Sequence, residues 1–186
     1  FNIQNLGPKI SYDNDEFNTN FLPANLKIGT GFDFIFDEDN KLAVNIELNK
    51  LLVPTPQKPD LNGDGTVTPE EYTQNYNNYR KTGWVSGLVK SFGDAPDGFS
   101  EELREFTYAL GTEYMYRNAF AIRAGYFHES PVKGARQYFS MGAGFKYTTA
   151  KIDVSYLFST SKVRNPLENT LRFSLTFNFG DNYGLN

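Results

Sequence analysis

The stretch Ala24-Asn25-Leu26-Lys27-Ile28-Gly29-Thr30-Gly31-Phe32-Asp33-Phe34-Ile35-Phe36 decides the fold class, because its chemistry repeats every two residues. Ala24, Leu26, Ile28, Thr30, Phe32, Phe34 and Phe36 share one face; Asn25, Lys27, Gly29, Gly31 and Asp33 share the other. Successive side chains of a strand point to opposite faces, so this segment reads as a strand with one greasy and one wet side. The same alternation continues outward from it. After a tight turn at Asp37-Glu38-Asp39-Asn40, Leu42, Val44, Ile46 and Leu48 oppose Asn45, Glu47 and Asn49. Phe106, Tyr108, Leu110, Tyr114 and Tyr116 oppose Glu105, Thr107, Gly111 and Glu113. Beyond a turn at Arg117-Asn118, Phe120, Ile122, Ala124 and Tyr126 oppose Arg123 and Gly125. Phe139 to Tyr147, Ile152 to Phe158 and Leu171 to Phe179 follow the same rule.

A soluble β-sandwich also alternates. Here the strands run to roughly ten residues, the length that crosses a bilayer at a tilt, where sandwich strands commonly hold about five or six. Connection lengths give a second test: long (7 to 22), short (37 to 40), very long (52 to 103), short (117 to 118), medium (129 to 136), short (148 to 150) and medium (160 to 169). Outer-membrane barrels pair short periplasmic turns with longer external loops. The reading is therefore an all-β, antiparallel transmembrane β-barrel in the bacterial outer membrane, with the C-terminus periplasmic. The final strand ends in the aromatic Phe179. About eight strands are visible, an even number that could close alone. The abrupt start at Phe1, with no methionine or signal peptide, favours the later part of a larger barrel. Three segments follow: barrel strands and a first external loop (1–52), an extracellular insertion (53–103), and barrel strands to the C-terminus (104–186).

Composition agrees. Aromatics make up 16% of the 186 residues, chiefly 17 Phe and 12 Tyr, which suits lipid-facing strands with interfacial girdles. No apolar run approaches the twenty residues of a membrane helix. The formal charge of -4 provides no footprint for nucleic acid. The absence of cysteine excludes disulfides, thiolate metal sites and cysteine nucleophiles.

The sharpest chemical motif lies in the longest connection. Asp60-Leu61-Asn62-Gly63-Asp64-Gly65-Thr66-Val67-Thr68-Pro69-Glu70-Glu71 has the spacing of an EF-hand calcium loop. Asp60, Asn62, Asp64 and Glu71 would ligate Ca2+ through side chains, Thr66 through its carbonyl, and Thr68 directly or through water, with Val67 as apolar anchor. Pro54, Pro56 and Pro59 forbid an entering helix, which argues for a structural staple over a sensor. The alternative is an Asn/Gly/Asp-rich turn. Helices are expected over 69–80 and 83–92, with a further turn from Ser100 to Leu103. Trp84, Val85, Leu88, Val89 and Phe92 form an apolar stripe at helical spacing. It either packs on the barrel rim or, with Phe99, docks a partner through Trp84, Leu88, Phe92 and Phe99.

Lys27, Asp33, Glu47, Glu113, Arg123, Lys146, Asp153 and Arg172 place mixed charges on the polar face, as a self-satisfied network or as a selective channel. His128, Glu129 and Ser130 invite a hydrolase reading, but neighbours on an extended strand point apart, which argues against a relay. No catalytic residue is assigned.

Five stretches carry a family likeness: 7–12 (Gly-Pro-Lys-Ile-Ser-Tyr), 48–56, 91–99, 121–127 and 165–174. Through them the chain resembles the PorV family of outer-membrane barrels in the Bacteroidetes type IX secretion system, related to the FadL fatty-acid transporters. The resemblance implies the later strands of a roughly fourteen-stranded barrel. It also implies a non-enzymatic role in export. Partners would be a large translocon barrel, secreted proteins with type IX C-terminal signal domains, the cell-surface attachment machinery, and the bilayer with its lipopolysaccharide. A FadL-like channel for hydrophobic small molecules is the alternative, and an outer-membrane lipid deacylase is a third.

Overall fold

The computed structural model describes residues 1–11, 19–161 and 169–178. Among these, ten strands and three helices follow in order: β1 (Asn2–Gln4), β2 (Ile10–Ser11), β3 (Thr19–Asn20), β4 (Asn25–Ile35), β5 (Asn40–Leu51), α1 (Pro69–Lys81), α2 (Trp84–Lys90), α3 (Phe99–Arg104), β6 (Phe106–Tyr116), β7 (Phe120–His128), β8 (Gln137–Tyr147), β9 (Ala150–Ser159) and β10 (Leu171–Phe177). Eight strands form one sheet in the order β1-β4-β5-β6-β7-β8-β9-β10, and β2 and β3 form a separate two-stranded ribbon. The β1–β4 pairing and all pairings from β6 to β10 are antiparallel. Within the described residues the sheet is open, with β1 and β10 at its ends. Phe179 lies outside the described residues.

The chain forms two compact units, one of residues 1–28 and 49–106, the other of 29–48 and 107–186. In the second unit the register fulfils the alternation. Leu110 pairs with Tyr126, Tyr126 with Phe139, and Phe139 with Phe158. Val154 then pairs with Phe173. Directly paired residues share a face, so the apolar rows run across the strands. Those rows are bare: Leu110, Ile122, Met141, Phe145, Phe173 (68% exposed) and Phe177 are all exposed. Among the described residues the buried apolar side chains are those of Ala24, Leu52, Pro54, Ala121 and Ala135. A sandwich would cover one face of such a sheet with a second sheet. Here the apolar side chains do not form a core; they form a surface.

The opposite face carries an ion cluster. Arg123 on β7 donates to Glu113 on β6 through Nε, and through Nη1 to Asp153 on β9 at 2.6 Å. Lys151 lies 3.3 Å from the other oxygen of Asp153. To reach β9, the guanidinium must cross β8, and glycine makes the space. A Cβ on Gly144 would sit 2.5 Å from Asp153 Oδ1 and 2.9 Å from Arg123 Nη1. The turn between β6 and β7 takes positive φ at both Arg117 and Asn118, and the Ala119 amide donates to the Tyr116 carbonyl at 3.1 Å.

Gly144→Val is expected to push Arg123 off Asp153 and lower the unfolding free energy by about 1–3 kcal/mol. The cost should shrink when Asp153→Asn is already present. Equal costs in both backgrounds, measured by denaturant titration, would contradict this account.

Candidate functional site

The segment between β5 and β6 holds most of the chemistry. Its loop closes through short-range bonds. Asp60 accepts from the Gly63 and Gly65 amides at 2.7 and 3.0 Å, Asn62 Oδ1 from the Asp64 amide at 2.9 Å, and Asp64 Oδ1 from the Thr66 amide and hydroxyl at 2.8 and 2.6 Å. Gly63 and Gly65 take φ of 75° and 84°, where a side chain would be strained. Glu71 closes the ring, its Oε1 accepting from the Asn62 amide at 3.3 Å and its Oε2 from the Thr68 amide at 3.0 Å. The Thr68 hydroxyl accepts from the Glu71 amide, completing a capping box that starts α1, with Pro69 in its first turn. Amide donors thus hold Asp60, Asn62, Asp64 and Glu71 around one turn, an oxygen-only set that suits a hard cation. The same bonds hold the Glu71 carboxyl, through Thr68, and the Asp64 carboxyl, through Thr66, below their ordinary ranges.

The helices are anchored by the N-terminal segment. Lys9 Nζ donates to Arg80 O at 2.7 Å, placing a cation at the C-terminal end of α1, and lies 4.2 Å from the centroid of the Phe21 ring. Phe21 packs edge-on against Tyr79 of α1, with centroids 5.5 Å apart. On α2, Gly87 is buried; a Cβ there would come within 2.8 Å of Phe21 and 3.1 Å of Pro54. This contact turns positions 84, 87, 88 and 91 inward. Trp84 and Leu88 are therefore half-buried, and Ser91 is fully buried. Of the docking residues read from sequence, Phe92 and Phe99 are exposed, beside Val85, Val89 and Leu103.

A buried ion cluster ties this unit together. Lys50, 1% exposed near the end of β5, donates to Glu102 at 2.6 Å and Glu105 at 2.8 Å. Its Nζ lies 5.0 Å from the Phe106 ring centroid. Thr55 adds two bonds, from its hydroxyl to Glu105 at 2.6 Å and from its amide to Asp94 Oδ2 at 3.0 Å. Asp94, Glu102 and Glu105 each place an oxygen within 4.8 Å of the others. Asp94 Oδ1 and Glu102 Oε2 are buried without a donor. Burial pushes the Asp94 carboxyl up; Glu105 and Glu102 add to the shift, against the bond from Thr55. The motifs in the sequence do not mark this cluster, since four separate segments build it. One signal was present: Lys50 has the parity of the apolar residues Ile46 and Leu48.

His128, Glu129 and Ser130 are separately engaged. The His128 ring stacks on Tyr108 with centroids 4.6 Å apart, and its Nδ1 is 3.2 Å from the Tyr126 hydroxyl. Glu129 accepts from Arg136 Nε at 2.8 Å and Nη2 at 2.9 Å, and Ser130 O takes the Lys133 and Ala135 amides. The three side chains form no relay. On the polar face of the sheet, Glu113, Arg123 and Asp153 come together as described, while Arg172 pairs with Ser155 across the strands. Lys27 and Asp33 lie on β4, Glu47 on β5 and Lys146 on β8. A groove of about 570 Å³ follows this face past Gly31, Asn45, Glu47, Gly111, Gly125 and Ser140.

Among known proteins, a family model described as type IX secretion system protein PorV matches residues 1–58. The chain is thus similar to PorV over its N-terminal part. That part contains the stretches 7–12 and 48–56; the stretches 91–99, 121–127 and 165–174, on which the resemblance was expected to extend, lie outside the match. No curated protein matches the chain.

Lys50→Met should lower the unfolding free energy by about 3–5 kcal/mol, because the carboxyl groups of Glu102 and Glu105 lose the buried ammonium they share. Adding Glu105→Gln should restore part of that loss; no restoration would refute the cluster as a charge-balanced unit. The loop has its own pH signature. Asp64 and Glu71 titrate lower folded than unfolded, so their contribution is complete above the unfolded pKa, about 4, and is lost as pH falls through the folded value. The Thr66 and Thr68 amide resonances should shift below pH about 4, and Thr68→Val should raise the Glu71 midpoint.

Proposed function

We propose that this chain is part of an outer-membrane β-barrel serving type IX protein secretion. The observation that carries this reading is the bare apolar face of a sheet whose first strands lie in the stretch similar to PorV. A surface of that kind is stable against lipid, and strands of nine to twelve residues such as β4 to β9 suit a bilayer. In this reading the short turns at 37–40, 117–118 and 148–150 face the periplasm and the helical insertion faces outward. The protein is an adaptor rather than an enzyme. It binds a large translocon barrel and exported proteins with a C-terminal signal domain, and passes them to the attachment machinery. The exposed apolar side chains Val85, Val89, Phe92, Phe99 and Leu103 are the candidates for docking these partners.

The loop from Asp60 to Glu71 is proposed to bind Ca2+ through Asp60, Asn62, Asp64 and Glu71, with the Thr66 carbonyl and Thr68 completing the set. Its role is to stiffen the start of α1. A second reading, a channel for hydrophobic small molecules, draws on the groove along the polar face.

Affinity purification of the tagged protein from its outer membrane should retrieve a large barrel and signal-domain proteins, and Val89→Asp with Phe99→Asp should reduce both. Recovery of neither, together with fatty-acid uptake by vesicles containing the protein, would favour the channel. For the loop, Ca2+ at about a hundred times its dissociation constant should add about 2.7 kcal/mol of stability. Asp60→Ala should abolish that gain, and an unchanged response would exclude this site.

A further inference from the structure

The loop that starts α1 contains Asn62-Gly63, the one asparagine of the chain that glycine follows. Such a pair is among the fastest to lose its side-chain amide, because glycine puts no Cβ in the way when its nitrogen approaches the asparagine carbonyl. Both residues are exposed, and the place a Cβ on Gly63 would take is open space. Yet three bonds engage the groups that would react. Gly63 N donates to Asp60 Oδ1 at 2.7 Å, Asn62 Oδ1 accepts from the Asp64 amide at 2.9 Å, and Asn62 Nδ2 donates to Asp64 Oδ2 at 3.1 Å. A carboxylate is too weak a base to strip an amide proton, and its charge opposes the amide anion, so Asp60 guards the nitrogen rather than activating it. None of these bonds requires a metal.

We propose that Asn62 is a self-modification site, converted to aspartate or isoaspartate by attack of the Gly63 nitrogen, and that the closed loop holds this conversion in check. In the reaction the Gly63 nitrogen forms a bond to Asn62 Cγ and gives up its proton. The Cγ–Nδ2 bond breaks, and Nδ2 leaves with that proton as ammonia. Water then opens the succinimide ring. Cleavage at Cγ leaves aspartate with the original main chain; cleavage at the main-chain carbonyl carbon leaves isoaspartate, whose main chain runs through Cβ and Cγ. Both products loosen the loop. Aspartate sets a carboxylate oxygen against Asp64 Oδ2, where Nδ2 donated before. Isoaspartate adds a methylene to the main chain between the Asn62 amide, which donates to Glu71, and the Gly63 amide, which donates to Asp60. Because Glu71 also forms the capping box with Thr68, the change reaches the start of α1. Asn62 is thus a one-way switch on the loop, slow while Asp60 and Asp64 hold it.

The test incubates the full chain in detergent micelles in mildly alkaline buffer and follows each asparagine by peptide mapping with mass spectrometry, with enzymatic methylation to count isoaspartate. Conversion should concentrate at Asn62, and Asp60→Ala, which frees the Gly63 nitrogen, should speed it about tenfold. Asp60→Asn keeps an acceptor oxygen for that nitrogen and should fall between the two. Adding Gly63→Ala to Asp60→Ala opens the loop no less but obstructs the attack, and should return conversion to the rate of Asn75. Conversion at Asn62 no faster than at Asn75 in the Asp60→Ala chain would overturn the site. Equal rates in the parent and Asp60→Ala chains would overturn the guard, and acceleration that survives Gly63→Ala would overturn attack by this nitrogen. EDTA throughout keeps the outcome independent of the calcium titration.

Discussion

The antiparallel register from β6 to β10 is the constraint on which the second unit depends. Ile122 faces Tyr114 and Ala143, while Arg123 faces Glu113 and Gly142, so a slip by a single residue would exchange the two faces of a strand. The consequence is a sheet with two unlike surfaces. One is a continuous apolar field of exposed Leu, Ile, Phe and Tyr. The other is kept low by glycine, which lets Arg123 cross β8 and join Glu113 to Asp153. With almost no buried apolar side chain of any size, stabilisation has to come from backbone pairing, from these ions and from whatever covers the apolar field. In the proposed outer-membrane reading, lipid covers this field without a second protein layer.

The first unit is held by a different logic. Its helices bury little apolar surface, and α1 has no buried residue. Order there comes from a few anchors: Lys9 and Phe21 against the end of α1, Phe21 and Pro54 against Gly87, and Lys50 with Thr55 against Glu102, Glu105 and Asp94. All the anchors named first in these pairs lie within residues 1–58, the part similar to PorV, whereas the helices they hold lie outside it. A family-like platform thus carries an insertion whose own sequence is less constrained by that likeness. Buried ion pairs contribute modestly to net stability, but losing one partner is costly, so the Lys50 cluster specifies how the insertion sits on its own unit more than how strongly.

Much of this was legible in advance for a definite reason. Strand alternation is local, and β4 to β10 fall where the period of two places them, give or take one or two residues at their ends. The start of α1 was equally local, since Thr68, Pro69 and Glu71 supply cap, first turn and capping partner within four residues. Other features depend on distant contacts and carried no such signal. The short β2–β3 ribbon sat inside what reads as a loop. The outward face of α2 depended on Phe21, more than sixty residues away in sequence, which selected Val85 and Val89 for exposure in place of Trp84 and Leu88.

The sequence by itself determined the all-β class, the two-faced strands, the oxygen-donor loop and the positions of the helices, because each follows from dihedral preference and side-chain period over a few neighbouring residues. Only the tertiary structure decided which side chains meet: Arg123 with Asp153 across an intervening strand, and Lys50 with Glu102 and Glu105 at the end of β5. A charge repaid for its desolvation only by partners fifty residues away leaves no periodic trace along the chain, so its place becomes visible when the backbone has brought those partners within hydrogen-bond reach.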